Sequence, residues 1–254
     1  CGSTWETSCD LQYALSLAQV GDQLWVAEGT YTPTSGTDRT ISFRLKSGVA
    51  IYGGFAGSET ELTGRDPDTN LTVLSGDIGV AGDTSDNSYH VVYVLKVDST
   101  SVLDGFTVEG GYANGTDAYN NGGGLYSYLS NASVANITFT SNTAQGKGGG
   151  VYSYESNGSY SNITFNDNTA GVAGGGLFNS ISNSSLTNVS FNRNSAGLHG
   201  GGMYIIASTP SITNASFNEN SAVEHGGAIL HTDAGDSVIT NATFIDNTAG
   251  RFGG

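Results

Sequence analysis

Apolar and polar residues alternate in short segments throughout the second half of the chain, and the segments recur at nearly constant spacing. Ile137-Thr138-Phe139 is one such segment, and Ile163-Thr164-Phe165 follows 26 residues later. Alternation of this kind is typical of a β-strand with one buried face. A repeat of this length indicates an architecture of stacked units, each of which buries its apolar face only when a neighbour lies on it.

Glycine triplets or pairs mark the start of each unit. The units begin at Gly122, Gly148, Gly174, Gly200 and Gly226. The first four have 26 residues and the fifth has 27. Three columns of apolar residues align between units: Leu125, Val151, Leu177, Met203 and Ile229; Val134, Tyr160, Leu186, Ile212 and Ile239; and Ile137, Ile163, Val189, Ala215 and Ala242. We predict that these columns face an interior in which like residues stack about 4.8 Å apart.

A fourth column consists of phenylalanine alone, and asparagine columns flank it. The phenylalanines, which we expect to form a core ladder, are Phe139, Phe165, Phe191, Phe217 and Phe244. We predict that one asparagine column precedes the strand and comprises Asn136, Asn162, Asn188, Asn214 and Asn241. The other follows it and comprises Asn142, Asn168, Asn194, Asn220 and Asn247. Asparagine tolerates a left-handed backbone at a corner, and stacked amides can bond to one another. We therefore predict two structural asparagine ladders.

Two other repeat architectures compete with this interpretation. The spacing of Val134, Ile137, Phe139, Asn142 and Ala144 also fits a leucine-rich repeat, but the rest of each unit is rich in glycine and lacks a helical period. The calcium-binding nonapeptide roll requires a shorter period and a recurring aspartate. The predicted fold is all-β, a right-handed parallel β-helix.

The first half of the chain lacks the strict repeat. Leu11, Ala14, Leu15 and Ala18 have helical spacing, after a cap at Ser8 or Asp10. A helix there would cover the open edge of the first coil. We expect an N-terminal cap helix and irregular coils over residues 1–121, and regular coils over residues 122–254. Together they would form one continuous solenoid of about eight or nine coils, a size that the repeat length sets.

Composition and charge narrow the classes of function. Of 254 residues 38 are glycine, and the formal net charge is -15 with only eight Lys and Arg. This balance argues against nucleic acid as a partner. The chain has no apolar run of about 18 residues, so we expect no membrane insertion. Cys1 and Cys9 lie close together and predict a disulfide in an oxidising compartment, with free thiols or a lipid-bearing Cys1 as alternatives.

The repeated signatures resemble those of a known group. Each unit combines Gly-Gly, then Gly or Ala and an aliphatic residue, with Phe-x-x-Asn, and Gly226-Gly227-Ala228-Ile229 has the stricter form. This pair of signatures resembles the repeats of chlamydial polymorphic outer membrane proteins and other bacterial surface β-helix proteins. The resemblance implies an exported protein of the bacterial cell surface, often an adhesin. Because the chain stops within a sixth unit, we expect a fragment of a longer protein.

Few residues have the pattern of a catalytic or metal site. Asp104 and Glu109 are five residues apart on one predicted coil, but no basic partner for lyase chemistry is evident. Asp77, Asp83 and Asp86 form an oxygen-rich loop that we consider a tentative Ca²⁺ site. We expect no catalytic residues and no cofactor other than this possible Ca²⁺.

Histidines and tyrosines were the remaining candidates. We expect His90, His199, His225 and His231 at the surface, since no Cys or further His completes a zinc set. Tyr126, Tyr152 and Tyr204 share a column with Phe178, and Tyr128 and Tyr154 share another. These rings would form either an exposed strip that stacks on sugars or, if the chain bends at the glycines, part of the core.

Three functions remain. The first is a non-enzymatic extracellular or cell-surface protein for adhesion or matrix structure, with glycans, proteins or copies of itself as partners. The second is the subunit of an extracellular filament assembled end to end, by strand addition at the last coil. The third is a polysaccharide lyase or hydrolase on a β-helix scaffold.

Overall fold

The computed structural model describes residues 2–233, 235 and 237–254. One α-helix, α1, spans Leu11–Leu17, and 3₁₀ turns span Trp5–Thr7, Leu62–Gly64 and Asp117–Asn120. The strands up to the first regular unit are β1 Gln23–Ala27, β2 Gly29–Tyr31, β3 Phe43–Arg44, β4 Ala50–Phe55, β5 Thr72–Ser75, β6 Val92–Leu95, β7 Val102–Glu109 and β8 Tyr112–Ala113. The next nine are β9 Leu125–Tyr128, β10 Ser133–Thr140, β11 Thr143–Ala144, β12 Val151–Tyr154, β13 Ser159–Asn166, β14 Thr169–Ala170, β15 Leu177–Ser180, β16 Ser185–Asn192 and β17 Ser195–Ala196. The last are β18 Met203–Ile206, β19 Ser211–Asn218, β20 Ser221–Ala222, β21 Ile229–Thr232, β22 Val238–Ile245 and β23 Thr248–Ala249.

Three parallel sheets run along the solenoid, and each regular coil contributes a strand to each sheet. The first sheet has the order β1-β4-β7-β10-β13-β16-β19-β22, with β2 and β5 beside its start. The second has the order β3-β6-β9-β12-β15-β18-β21, and the third β8-β11-β14-β17-β20-β23. The chain forms an all-parallel solenoid of about nine turns, which confirms the predicted fold class. The first sheet passes without a break from the irregular coils to the regular ones, because β7 pairs with β10.

The helix covers the first coil as its apolar spacing predicted. Asp10 caps it by accepting a hydrogen bond from the Tyr13 backbone N–H at 3.1 Å. Leu11 and Leu15 are buried and belong to the core. Gln12 Nε2 donates to the carbonyls of Pro33 and Ser42 and so ties the helix to the following loops. Cys1 lies outside the described residues, so its disulfide with Cys9 stays a prediction.

The phenylalanine column lies inside the solenoid. Phe139, Phe165, Phe191 and Phe217 are fully buried. Their ring centroids are 5.3, 4.5 and 4.7 Å apart in succession, with nearly parallel planes. Phe244 stacks on Phe217 at 5.1 Å but is 52% exposed, since no described coil lies beyond it. The aliphatic columns surround the rings in the same core.

The glycine triplets allow neighbouring coils to approach closely. Gly148 has a φ of +67°, a left-handed conformation that favours glycine. A Cβ atom on Gly149 would lie 2.5 Å from the carbonyl oxygen of Thr169, so no side chain fits there. The first two glycines of the unit are therefore required by the backbone at this turn, whereas the third is alanine in the fifth unit.

The first asparagine column occupies a different place from the predicted one. Asn136 and its counterparts lie in the middle of the eight-residue strands, not before them. Ala135 pairs with Ser161 and Ile137 with Ile163, while the intervening asparagines adopt φ of +51° and +55°. This left-handed residue resets the alternation, so that Val134 and Ile137 both face the core. Asparagine is among the few residues that adopt this conformation at low cost.

Amide hydrogen bonds link this exposed column from coil to coil. The Nδ2 atoms of Asn162, Asn188 and Asn214 each donate to the Oδ1 atom of the preceding asparagine at 2.9 Å. Asn241 continues the ladder. At its start Asn136 donates to a carboxylate oxygen of Asp104 at 2.7 Å. The predicted ladder is present, on the outside of the solenoid.

The second asparagine column is buried from Asn142 to Asn220, and the side chains in this part are fully hydrogen-bonded. Asn194 Oδ1 accepts from both the backbone N–H and the Nδ2 of Asn168, at 3.1 and 3.0 Å. Its Nδ2 donates to the Phe165 carbonyl and to Asn220 Oδ1, both at 2.9 Å. The left-handed residue of this corner is Arg193, with a φ of +52°, and not the asparagine. The asparagine is needed here for its amide and not for its backbone.

Two further ladders were not predicted. On the outer surface Asn218 donates to Asn192, and Asn192 donates to Asn166, both at 2.9 Å. In the interior the backbone N–H of Ser156 donates to Ser182 Oγ at 2.9 Å. The same bond recurs between the neighbouring serines of the column. Polar columns therefore provide hydrogen-bond acceptors for backbone N–H groups at the turns, as regularly as apolar columns fill the core.

The two predicted asparagine ladders should differ in their contribution to stability. We expect Asn194→Ala to lower the free energy of unfolding by about 3 kcal/mol or more, because it strands several buried polar groups. Asn188→Gly should cost about 1 kcal/mol or less, since the site is exposed and glycine accepts its positive φ. Asn188→Ala should fall between them, at about 1–2 kcal/mol for a left-handed alanine. Urea unfolding of the three variants measures the differences, and equal costs at both positions would contradict the assignment.

Candidate functional site

The outer surface of the first sheet carries a regular lattice of polar groups. We define the polar face as seven outward side chains in the part of these strands that follows the exposed asparagine ladder: Thr138, Thr164, Ser190, Ser216, Asn166, Asn192 and Asn218. All are half-buried, because each lies between its counterparts in the adjacent coils. Ser190 Oγ donates to Thr164 Oγ1 at 3.1 Å, a hydroxyl bond between adjacent coils of this column. The polar face therefore presents donors and acceptors at about the 4.8 Å strand spacing.

The aromatic column on the second sheet is neither an exposed strip nor part of the core. Tyr126 is 9% and Phe178 2% exposed, but neither joins the core cluster. Lys147 Nζ lies 4.8 Å from the centroid of the Phe178 ring and shows how the adjacent strip of chain covers this column. Burial raises the pKa of Tyr126 to about 12.

Stacking also decides what the tyrosines can offer to a ligand. Tyr126 stacks on Tyr152 with centroids 5.2 Å apart, and Tyr128 stacks on Tyr154 at 5.6 Å. Both faces of the Tyr152 ring are thus occupied, by Tyr126 on one side and Phe178 on the other. Stacking of sugar rings on these faces, one of the two expectations from the sequence, is not available within the column.

His90 is buried, in contrast to the prediction for the four histidines. It is 1% exposed and is enclosed by rings of Tyr93, Tyr119 and Tyr126 at centroid distances of 5.0 to 5.8 Å. Its Nδ1 lies 2.9 Å from the Gly122 carbonyl oxygen and donates to it in the neutral tautomer. Burial lowers the pKa of His90 from 6.5 to about 4. His90 therefore packs as a neutral ring beside Tyr93 and Tyr126, the first two rings of the aromatic column.

A basic partner for Asp104 exists, although none was evident from the sequence. Arg65 comes from the loop after β4, and its Nη2 lies 2.7 Å from Asp104 Oδ2. Its Nη1 also donates to the carbonyls of Gly53 and Asp104. Arg65 also lines a groove of about 360 Å³ together with Leu62, Thr63, Pro67, Asp68 and Asn136. Because Arg65 is engaged in these bonds, it ties the loop to the first sheet.

Glu109 lies apart from Asp104. Five residues of strand separate the two carboxylates by about 16 Å, beyond the 5–9.5 Å of paired glycosidase carboxylates. Glu109 lines a second groove of about 320 Å³ together with Asp77, Thr84 and Asn87. The structure therefore does not assemble Asp104 and Glu109 into one site.

The tentative Ca²⁺ ligands cap local turns. Asp77 accepts from the Gly82 backbone N–H at 3.0 Å, and Asp86 accepts from Val80 at 2.8 Å. Asp83 accepts from Ser85 at 2.9 Å. The three carboxylates are not within 4.8 Å of one another, unlike a different trio of side chains described next. Each carboxylate instead stabilises the loop that carries it.

His199, Glu224 and His225 form the only such trio of His, Cys, Asp or Glu among the described residues. One ligand atom from each lies within 4.8 Å of the others, and all three residues are half-buried. The two imidazoles stack with centroids 5.3 Å apart. The sequence showed that the histidines share a column, but Glu224 was overlooked because the zinc set was sought only among Cys and His. His231 lies apart, 3.3 Å from the Ser208 carbonyl oxygen.

Comparison with known families agrees with the solenoid. The profile of a family described as protein of unknown function (DUF1565) matches residues 10–199, which are 190 of the 254 residues. The Chlamydia polymorphic membrane protein (Chlamydia_PMP) repeat matches residues 214–232 and confirms the resemblance seen in the repeats. No curated protein and no solved structure matches the chain. Within the described residues, no helix has the length and apolarity to cross a membrane.

His90 predicts a pH dependence of stability. The pKa of His90 is lower in the folded than in the unfolded chain. The contribution of the neutral ring to the free energy of unfolding is therefore complete above pH 6.5 and is lost as the pH falls through about 4. At a pH below 4 the loss in the free energy of unfolding should reach about 3 kcal/mol. Urea unfolding between pH 7 and 5 measures the slope before carboxylates titrate. We expect His90→Phe to flatten this slope and the control His231→Gln to keep it. An unchanged slope in His90→Phe would show that His90 is not held neutral.

Proposed function

Because the chain belongs to the family described as protein of unknown function (DUF1565), its own structure has to indicate its role, and we propose that it attaches to neutral glycans as a non-enzymatic bacterial surface protein. The polar face is the attachment surface in this proposal. Its in-register lattice of hydroxyls and amides is the single observation that carries it. The chain is a β-helix protein with a repeat found in a bacterial outer-surface family, which supports an extracellular location.

The lattice suits a ligand that is itself periodic and rich in hydroxyls. Asn166, Asn192 and Asn218 bond to one another and so hold their side chains in fixed orientations. Fixed groups lose little rotational entropy when they bind, which favours binding through many weak hydrogen bonds. A polysaccharide laid along the solenoid would meet equivalent groups at each coil. Affinity would then come from multivalency and not from one pocket.

Charge favours a neutral ligand over a charged one. The net charge of -15 repels acidic polysaccharides, and the eight basic residues are too few to offset it. No ionisable side chain belongs to the polar face. Binding should therefore depend weakly on ionic strength.

The carboxylates that could serve an enzyme support a non-catalytic role. Asp104 is neutralised by Arg65 and accepts a further hydrogen bond from Asn136, so it is poorly placed as a general acid or base. Arg65 in turn is committed to Asp104 and two backbone carbonyls and has a structural role.

The proposal is tested by sedimentation of the protein with insoluble neutral and acidic polysaccharides. A triple variant, Thr164→Val, Ser190→Ala and Ser216→Ala, removes the central hydroxyls of the polar face without adding bulk. We expect neutral polymer to bind the native protein, with at least a tenfold loss in the triple variant because binding is multivalent. The matched control, Tyr128→Phe with Tyr154→Phe, removes hydroxyls from the second sheet and should bind normally.

Three results would contradict this function. They are retention of neutral polymers by the triple variant, preferential binding of acidic polymers, and binding to none of the polymers. Binding lost in the tyrosine control alone would place the ligand on the second sheet. Circular dichroism of both variants verifies that the solenoid is intact.

A further inference from the structure

We propose that His199, Glu224 and His225 form a binding site for a divalent transition metal of the Zn²⁺ type. The site is separate from the polar face, and the proposal does not depend on the glycan hypothesis. His199 and His225 occupy the same position of successive coils and are joined by a parallel backbone bridge. Glu224 directly precedes His225, and its backbone N–H donates to the Leu198 carbonyl at 2.9 Å. The coil register thus brings the three side chains together.

The donor set matches a metal of this class. Two imidazole nitrogens and one carboxylate oxygen are the protein ligands of many zinc sites that keep a fourth position for water or another ligand. His199 Nε2 lies 4.0 Å from Glu224 Oε2. Zinc bonds of about 2.0–2.1 Å hold tetrahedral ligand atoms about 3.3 Å apart. The three side chains would need to close by roughly 1 Å, which half-buried residues achieve by small rotations.

The two imidazoles contact neighbouring rings by stacking and are not held in place by hydrogen bonds among the described residues. Within the described part of the chain, neither ring makes a hydrogen bond, and both Nδ1 atoms are buried without one. Buried polar groups in proteins are nearly always bonded, and an unsatisfied group often marks a missing ion or water. Because the atom of His199 that faces Glu224 is Nε2, the metal would bind there, and the buried Nδ1–H would donate to an ordered water, as the second ring nitrogen of a metal-bound histidine commonly does.

The fold itself does not require histidine in this column. Lys147 and Ala173 occupy the equivalent positions of the two preceding coils, and the backbone bridge passes through all four residues. The ring of Phe252 continues the stack beyond His225 at 5.3 Å. Stacking and coil geometry are therefore satisfied by residues that cannot bind a metal. Histidine at positions 199 and 225 needs another reason.

Arg251 provides a way to tune the site. Its Nη2 lies 3.8 Å from Glu224 Oε1, the oxygen not directed at His199, and its side chain is 64% exposed. A guanidinium there opposes a bound cation through charge repulsion and competes for the carboxylate. Removing this charge by substitution should strengthen metal binding. If Arg251 had only a structural role, its substitution would weaken metal binding instead.

Calorimetric titration of the whole chain with Zn²⁺, after treatment with a chelator, tests the site. We expect one Zn²⁺ per chain, with affinity reduced at least 30-fold in the variant carrying His199→Ala and His225→Ala. We expect this variant to fold, since alanine already occupies this column at position 173. Glu224→Gln should weaken binding about tenfold, a typical effect of losing one interaction worth 1.4 kcal/mol. His231→Gln is the control and should leave the affinity unchanged.

Two further measurements identify the site independently. Arg251→Gln should bind Zn²⁺ severalfold more tightly than the native chain. Co²⁺ bound in place of Zn²⁺ should give the visible absorption of a tetrahedral complex, and this band should vanish in the double histidine variant. The proposal is overturned if Zn²⁺ and Co²⁺ do not bind, if the folded double variant binds Zn²⁺ as the native chain does, or if Arg251→Gln weakens binding.

Discussion

Every part of this structure depends on one constraint, the in-register stacking of equivalent residues on adjacent coils. A parallel coil places each side chain about 4.8 Å from its counterpart above and below. An apolar residue at such a position is buried only if its neighbours are apolar as well. A buried amide, such as that of Asn194, is satisfied only if the next coil supplies another amide. Repetition in the sequence is therefore a physical requirement and explains why columns of identical residues recur.

The repeat made much of the fold predictable. Because Phe191 and its counterparts recur at a fixed spacing, their burial followed from the pattern alone. The helical spacing of Leu11 and Leu15 likewise located the capping helix. Asn136 was misplaced because its left-handed φ resets the strand alternation, and alternation by itself does not reveal backbone conformation. The ladder of Asn192 was missed because it begins only in the second unit, where threonine gives way to asparagine.

The sites were less predictable because they depend on contacts between coils that the repeat does not encode. Arg65 reaches Asp104 from a loop 39 residues earlier in the chain. His90 lies in an irregular coil, so no column indicated its burial. Tyrosine columns were recognised, but whether their ring faces are free for a ligand is decided by stacking geometry. Glu224 precedes a histidine in sequence, yet only the coil register places it beside His199.

A solenoid of this kind separates its stability from its function. Inward columns and buried amides are fixed by stacking, whereas outward positions and turn columns are free to vary, as the change from lysine to alanine to histidine between Lys147 and His225 shows. Both the proposed attachment surface and the proposed metal site use such free positions. New binding properties can thus arise on the outer surface of the solenoid without loss of the core.

Unfolding of two coil-deletion variants tests the stacking register most directly. Removing residues 148–173 deletes one complete unit of 26 residues and joins Lys147 to Gly174, an equivalent connection. Removing residues 139–163 deletes one residue fewer and joins Thr138 to Thr164 inside a strand, so that Phe165 is turned to the outer face. In-register stacking predicts cooperative thermal unfolding for the 26-residue deletion and no folded state for the 25-residue deletion. Equal stability of the two variants, or failure of the 26-residue deletion to fold, would contradict it.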